Sequence, residues 1–132
     1  MHADDIQGLD HFVLTVADSA RTARFYGDIL GMEIVTFDEG RLALRMGSQK
    51  INIHVAGREF EPHAAKPLPG SADFCLIAAR PVTELVPELE QQGVAVELGP
   101  VRRTGATGQL LSIYIRDPDG NLVELANPTT EP

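Results

Sequence analysis

Four side chains of the types that bind divalent metals lie in strand-like segments of this sequence: His11, His54, Asp73 and Glu124. Apolar and polar residues alternate around each of them, so each side chain is predicted to point away from the large apolar residues of its strand. A single histidine or glutamate at such a position is more often just a hydrogen-bonded, partly exposed residue. Two imidazoles with one or two carboxylates, however, suit a divalent cation that keeps open coordination positions.

A weak internal repeat relates these four positions in pairs. When the chain is shifted by about 62 positions, His11 aligns with Asp73. The same shift aligns glycines and apolar residues, namely Gly8 with Gly70, Phe12 with Phe74, Leu14 with Leu76 and Gly31 with Gly93. A shift of about 70 aligns His54 with Glu124, which assumes a longer insertion in the second half. Matching positions in both halves favour a shared role, so we expect the four residues to form one metal site.

Each half of the chain has the pattern of one strand, one helix and three further strands. The strands are predicted at residues 11–16, 33–38, 41–46 and 50–55 in the first half, and at 73–77, 94–98, 109–116 and 122–126 in the second. The segment from Arg116 to Asn121, with its Asp-Pro-Asp-Gly sequence, predicts a tight turn between the last two strands. Two βαβββ modules of this kind make an α+β fold.

The helices lie between the first and second strands of each half. Asp18 or Ser19 is a suitable N-cap for the first helix, and Gly31 is suited to the residue just beyond its end. An apolar stripe indicates the second helix, with Thr83 as the candidate cap. Pro87 removes a helical hydrogen bond, so this helix is expected to be short or to start late.

The chain is expected to be one domain, with module one at about 7–56, a proline-containing linker at 57–70 and module two at about 71–127. Eleven basic and nineteen acidic residues give a net charge of −8, which argues against nucleic acid and anionic membranes as partners. No apolar run approaches the ~18 residues of a membrane span. Cys75 is the single cysteine, and the cytoplasm is the predicted location.

Three segments resemble the vicinal-oxygen-chelate superfamily, which includes glyoxalases, bleomycin resistance proteins and dioxygenases. They are Leu9-Asp10-His11-Phe12, then Phe25-Tyr26 with Leu30-Gly31-Met32, and the run Asp117-Pro118-Asp119-Gly120-Asn121-Leu122-Val123-Glu124-Leu125. The chain is most similar to the short glyoxalase domain-containing, lactoylglutathione-lyase-like proteins. The resemblance implies an eight-strand open barrel, or cup, with two flanking helices and one divalent metal.

On this resemblance, His11, His54 and Glu124 fall on metal-ligand positions. Asp73 departs from the pattern because many members carry histidine there; the aspartate either ligates the ion or orients a ligating histidine. The implied ion is Ni, Zn, Mn, Co or Fe(II). Glutathione is a candidate co-substrate, and a homodimer is expected by analogy.

The function expected from these features is a metal-dependent, glyoxalase-like lyase or isomerase. Its substrate is a small oxygenated molecule chelated through adjacent oxygens, and Glu124 is both ligand and catalytic base. Two alternatives stay open: a ring-cleaving dioxygenase and a non-catalytic drug- or metabolite-binding resistance protein.

Substrate contacts are predicted from the second half of the chain. Arg103 and Thr104 are expected in a glycine-rich loop able to hold an anionic group, although a solvated surface loop explains them equally well. Ser112 and Tyr114 share one face of a strand and are predicted to line the cavity.

Overall fold

The structure, a computed structural model, describes residues 1–130. The described residues form two compact units, 1–69 and 70–130, and the boundary between them in the sequence falls at the end of the predicted linker. The described residues form eight strands in two four-stranded sheets, together with helices, so the predicted α+β class is confirmed. No helix in residues 1–130 has both the length and the hydrophobicity of a membrane span.

The first unit contains one sheet of strand order β1-β4-β3-β2. Its strands are β1 (His11–Val16), β2 (Glu33–Phe37), β3 (Arg41–Met46) and β4 (Gln49–Val55). β1 and β4 are parallel, and the other neighbouring pairs are antiparallel. The parallel pair therefore brings the first and last strands of the module side by side.

The helix of the first unit changes type along its length. Helix α1 (Ser19–Ala23) continues directly as a π-helix over Arg24–Ile29. Asp18 is the N-cap, as predicted, and its carboxylate accepts a hydrogen bond from the Arg21 backbone N–H at 2.9 Å. Gly31 has φ of 72°, the left-handed conformation expected just past a helix end. The π-helical turn was not predicted, because apolar spacing does not distinguish it from an α-helix.

The second unit repeats this arrangement in a sheet of strand order β5-β8-β7-β6. Its strands are β5 (Asp73–Ile77), β6 (Leu98–Thr104), β7 (Gln109–Arg116) and β8 (Leu122–Pro128), with helix α2 (Val82–Gln91) after β5. β5 and β8 are parallel, while β7 is antiparallel to both β6 and β8.

Two expectations for the second unit were wrong. Helix α2 begins at Val82 and runs through Pro87, so it is neither short nor late. Its N-cap is Pro81 rather than Thr83, and the Val82 N–H instead donates to the Asn127 side chain at 2.7 Å. Strand β6 lies at 98–104 instead of 94–98, which places Arg103 and Thr104 in a strand rather than a loop.

Alternation along the strands separates an apolar from a polar face in both units. Most of the residues on the apolar faces of β1, β4 and β8 are buried, namely Leu14, Val16, Ile51, Ile53, Val123 and Leu125, while Phe12 and Val55 are partly exposed. Helix α2 packs against β7 and β8 and buries Val82 and Leu89. These apolar faces stabilise each sheet by removing hydrocarbon from water, and they leave the opposite faces available for polar chemistry.

Candidate metal and substrate site

The strand registers define which residues of the two units correspond. In β1 and β4, His11 is paired with Lys50 and Val13 with Asn52. In β5 and β8, Asp73 is paired with Leu122 and Cys75 with Glu124. The residue that corresponds to Glu124 is therefore Asn52, which lies two positions beyond the register partner of His11. The expected match of His54 with Glu124 was wrong. Lys50 of β4 corresponds to Leu122 of β8, so these two strands correspond at a shift of 72 residues, not 70.

Distance along the strand has a consequence for His54. His11 and Asn52 are diagonal neighbours on the first strand pair, and Asp73 and Glu124 are diagonal neighbours on the second. The Cα atoms of such neighbours are roughly 8 Å apart. His54 is instead paired with Thr15, four positions from His11. This places it about 13 Å farther along the strand, too far for it and His11 to share one ion with bonds of about 2.1 Å.

The His11 imidazole is hydrogen-bonded to its neighbour in the sequence. Its Nδ1 lies 2.8 Å from Oδ1 of Asp10, and the His11 side chain is 44% exposed. A carboxylate that accepts the Nδ1 proton fixes the tautomer and directs the Nε2 lone pair toward a cation. Asp10 was not predicted to have this role, although it is adjacent to His11 in the sequence.

Asn52 is a second residue that the sequence analysis missed. It is only 6% exposed, and its Oδ1 is buried with no hydrogen-bond partner among residues 1–130. An unpaired buried oxygen of this kind costs about 1–3 kcal/mol. An amide oxygen is a suitable ligand for a hard divalent cation, so the position and chemistry of Asn52 fit a metal site.

Glu124 lies on the polar face of β8 between Tyr114 of β7 and Cys75 of β5. The Ser112 hydroxyl donates to Glu124 Oε2 at 2.6 Å, a short hydrogen bond typical of a charged acceptor. The pKa of Cys75 is raised to about 11, first by burial and then by the charge of Glu124 and a hydrogen bond to it. The thiol is therefore protonated at neutral pH, which does not favour a nucleophilic role.

A cleft of about 770 Å³ opens in the second unit beside Glu124. Arg103, Thr104 and Cys75 line it together with Glu124 and the turn at 105–108. Arg103 donates to the Tyr114 hydroxyl at 2.9 Å and to the Arg102 carbonyl at 3.0 Å, so its guanidinium is held at the cleft. The structure thus brings the predicted substrate residues of the second unit close to the predicted base.

The turn between β7 and β8 fixes the relative position of the strands that carry Asp73 and Glu124. Asn121 is 1% exposed; its side chain accepts from the Ala72 N–H at 2.9 Å and donates to Asp117 Oδ2 at 2.8 Å. Asp117 Oδ1 also accepts from the backbone N–H groups of Asp119 and Asn121, each at 2.9 Å. The start of β5 is thereby tied to the start of β8.

His54 occupies a different environment from the other candidates. It is 3% exposed, and its Nε2 faces Nη2 of Arg41 at 3.4 Å. Burial, followed by the positive charge of Arg41, lowers the pKa of the imidazole. The four predicted ligands are thus divided two to each unit. Neither unit contains, within residues 1–130, three or more His, Cys, Asp or Glu side chains grouped to hold a metal.

Comparison with known proteins identifies the family. The model of the Glyoxalase/Bleomycin resistance protein/Dioxygenase superfamily matches residues 8–125. The chain belongs to this superfamily. It is 54% identical over 121 residues to virulence protein STM3117 of Salmonella typhimurium, covering 92% of this chain and 84% of that protein. The crystal structure of that virulence protein superposes with a TM-score of 0.91 at 52% identity, covering 94% and 98% of the two chains.

Two further proteins are similar to the chain, one in sequence and one in fold. It is 49% identical over 122 residues to the glyoxalase domain-containing protein RDO1 of Mycosarcoma maydis, covering 92% of this chain and 69% of RDO1. Lactoylglutathione lyase of Agrobacterium tumefaciens shares the fold, with a TM-score of 0.70 at 24% identity over 92% and 94% of the two chains. At that identity the likeness concerns the fold alone.

Proposed function

We propose that this protein is a metal-dependent lyase or isomerase of the glyoxalase type, acting on a small oxygenated substrate. The observation that carries the proposal is the hydrogen-bonded Glu124 on the wall of the second-unit cleft, beside Ser112 and Arg103. A carboxylate beside a cleft of this size is placed to move a proton on a bound small molecule.

As metal ligands we propose His11 and Asn52 in the first unit and Asp73 and Glu124 in the second. Support comes from the registers, because in each unit the two ligands are diagonal neighbours on one parallel strand pair. Imidazole nitrogen, amide oxygen and carboxylate oxygen are all donors that suit Ni, Zn, Mn, Co or Fe(II). Such an ion supplies Lewis acidity toward neighbouring substrate oxygens. We leave His54 out of the set because it faces the Arg41 cation.

Residues of the chain supply the proton chemistry in this proposal. Glu124 accepts a proton from the hydroxyl-bearing carbon next to a substrate carbonyl and returns it to the former carbonyl carbon, while the hydroxyl proton moves to the former carbonyl oxygen. The Ser112 hydroxyl holds Oε2 of Glu124, which leaves the carboxylate in one orientation. Arg103, held by Tyr114, binds an anionic part of the substrate, and Thr104 donates a hydrogen bond within the same cleft.

We further propose that the substrate is a small molecule and that the protein is a homodimer. Light scattering in solution would check the dimer.

The test is carbon-bound proton exchange. Protein loaded separately with each of the five metals is incubated with an α-hydroxyketone in D₂O, with and without glutathione, and deuterium incorporation is followed by NMR. We expect metal-dependent exchange in the wild type, a loss of about a hundredfold or more in Glu124→Gln, and little change in Glu97→Gln. Glu97 is a matched control because it is exposed and paired with Arg116 through bonds of 3.0 and 3.1 Å.

Two results would contradict the proposal. Oxygen uptake by the Fe(II) form without proton exchange would make the protein a dioxygenase. Tight binding of substrates with no turnover under any metal would instead make it a binding protein.

A further inference from the structure

A polar cluster in the first unit is not used by the proposed chemistry. It consists of Arg41 on β3, His54 on β4, Phe37 at the end of β2 and Phe60 in the segment after β4. The Arg41 Cζ atom lies 5.0 Å from the ring centroid of Phe37 and 4.4 Å from that of Phe60. The His54 ring meets Phe60 edge-on at 5.7 Å. Packing against two aromatic rings fixes the guanidinium and leaves its in-plane N–H groups as donors.

Two of the buried nitrogens in this cluster have no hydrogen-bond partner within residues 1–130: Arg41 Nε and His54 Nδ1. Arg41 Nη2 lies 3.4 Å from His54 Nε2, and because arginine only donates, Nε2 acts as the acceptor in this contact. Nδ1 of a neutral His54 therefore carries the ring proton. Both unpaired nitrogens are thus donors, and both require an acceptor.

Two cations of the cluster also lack an ion pair. Lys50 Nζ lies 3.6 Å from the Phe37 ring centroid, so Arg41 and Lys50 both contact the ring of Phe37. Neither Arg41 nor Lys50 forms an ion pair in the described part of the chain, although acidic residues outnumber basic ones by nineteen to eleven. Glu59, whose charge acts on His54, is exposed and already accepts from the Gly57 N–H at 2.9 Å.

We propose that Arg41 and His54 form an oxyanion site that binds the carboxylate or phosphate group of a small ligand. Two unpaired donors, and two cations that contact the same ring, match an acceptor that carries negative charge, and a metal cation would be repelled there. Carboxylate and phosphate present the same oxygens to these donors, so the cluster serves either group. This site does not depend on the metal or on the Glu124 chemistry.

The experiment uses metal-free full-length protein and two probes, inorganic phosphate and sodium acetate, at an ionic strength held constant with sodium chloride. Binding is followed by NMR through the Arg41 Nε–H signal and the His54 ring signals. We compare wild type with Arg41→Gln and with Arg45→Gln, a matched control on the same strand whose exposed side chain loses the same charge. Arg41→Lys keeps the charge but loses Nε and the planar fork.

We expect saturable, millimolar binding of at least one probe by wild type and Arg45→Gln, with both Arg41 variants weakened about tenfold or more. Binding of phosphate alone assigns a phosphoryl group, and binding of acetate alone assigns a carboxylate. The proposal is overturned if neither probe shifts the Arg41 and His54 signals of the wild type. It is also overturned if Arg41→Lys binds as wild type does, or if Arg45→Gln weakens binding as much as Arg41→Gln. If Arg41→Gln does not fold, the wild-type shifts and Arg41→Lys decide the outcome.

Discussion

Asn121→Ala provides the sharpest test of how the second unit holds its site together. The Asn121 side chain forms two buried hydrogen bonds, one from the Ala72 N–H and one to the Asp117 carboxylate, at 2.9 and 2.8 Å. Alanine removes both and leaves the Ala72 N–H without its side-chain acceptor. A hydrogen bond to a charged group contributes about 1.5–3 kcal/mol, and an unpaired buried N–H costs about 1–3 kcal/mol.

Allowing for relaxation at the chain surface, we expect the free energy of unfolding to fall by about 3 kcal/mol, which corresponds to a drop in melting temperature of roughly 10 °C. The assay is urea unfolding followed by circular dichroism, with Glu90→Ala, an exposed helix position, as a control expected to change stability by about 0.5 kcal/mol or less. A loss below about 1 kcal/mol for Asn121→Ala would refute the reasoning, because both hydrogen bonds would then be replaced at little cost.

Three further predictions concern other features of the second unit. Gly99→Ala is expected to destabilise the protein by about 3 kcal/mol, because Gly99 has φ of 111° and an added Cβ meets the Ser112 carbonyl oxygen. Gly8→Ala is the control, because an added Cβ there has no atom within 4 Å. Equal melting temperatures for the two variants would contradict the prediction. Ile113→Ala, at a site with 0% exposure, is expected to lose about 2–5 kcal/mol in denaturant unfolding, and a loss below about 1 kcal/mol would show that the site collapses around the cavity. Iodoacetamide is expected to alkylate Cys75 roughly a hundredfold more slowly than a free thiol at pH 7.5, with the rate rising up to a pH of about 11 as the thiolate forms. Glu124→Gln should lower the Cys75 pKa and speed this reaction, since it removes a negative charge that opposes ionisation, and an unchanged rate would argue against that contact.

Local patterns in the sequence predicted much of the fold. Strands β3 and β7 have the predicted bounds, because alternation of apolar and polar residues is a property of each strand alone. Asp18 also caps its helix as expected, since capping depends only on the next few backbone N–H groups. Strand β6 was misplaced because its pairing with β7 contains a register shift between Leu98 and Val101. Gly99 permits that irregularity, and it does not follow from side-chain alternation.

The site was harder to predict because it depends on strand register. Sequence alone does not locate insertions, so His54 was aligned with Glu124 and Asn52 was overlooked. The surroundings of His54 also come from distant positions, namely Arg41 on the neighbouring strand and Phe60 beyond β4. Pairwise contacts of this kind are set by the packed structure rather than by the spacing of residues in the chain.

The proposal that His11, Asn52 and Glu124 bind a divalent metal is tested most directly by measuring the metal content of the protein. Purified protein would be loaded with each candidate ion, desalted and measured by inductively coupled plasma mass spectrometry, for wild type, His11→Ala, Asn52→Ala, Glu124→Gln and His54→Ala. We predict about one ion per chain in the wild type and in His54→Ala, with a loss of about tenfold or more in affinity for the other three. A wild type that retains no ion under any loading condition would contradict the account. Loss of the ion in His54→Ala with retention in Asn52→Ala would restore the ligand set expected from the sequence and contradict the one argued from the strand registers.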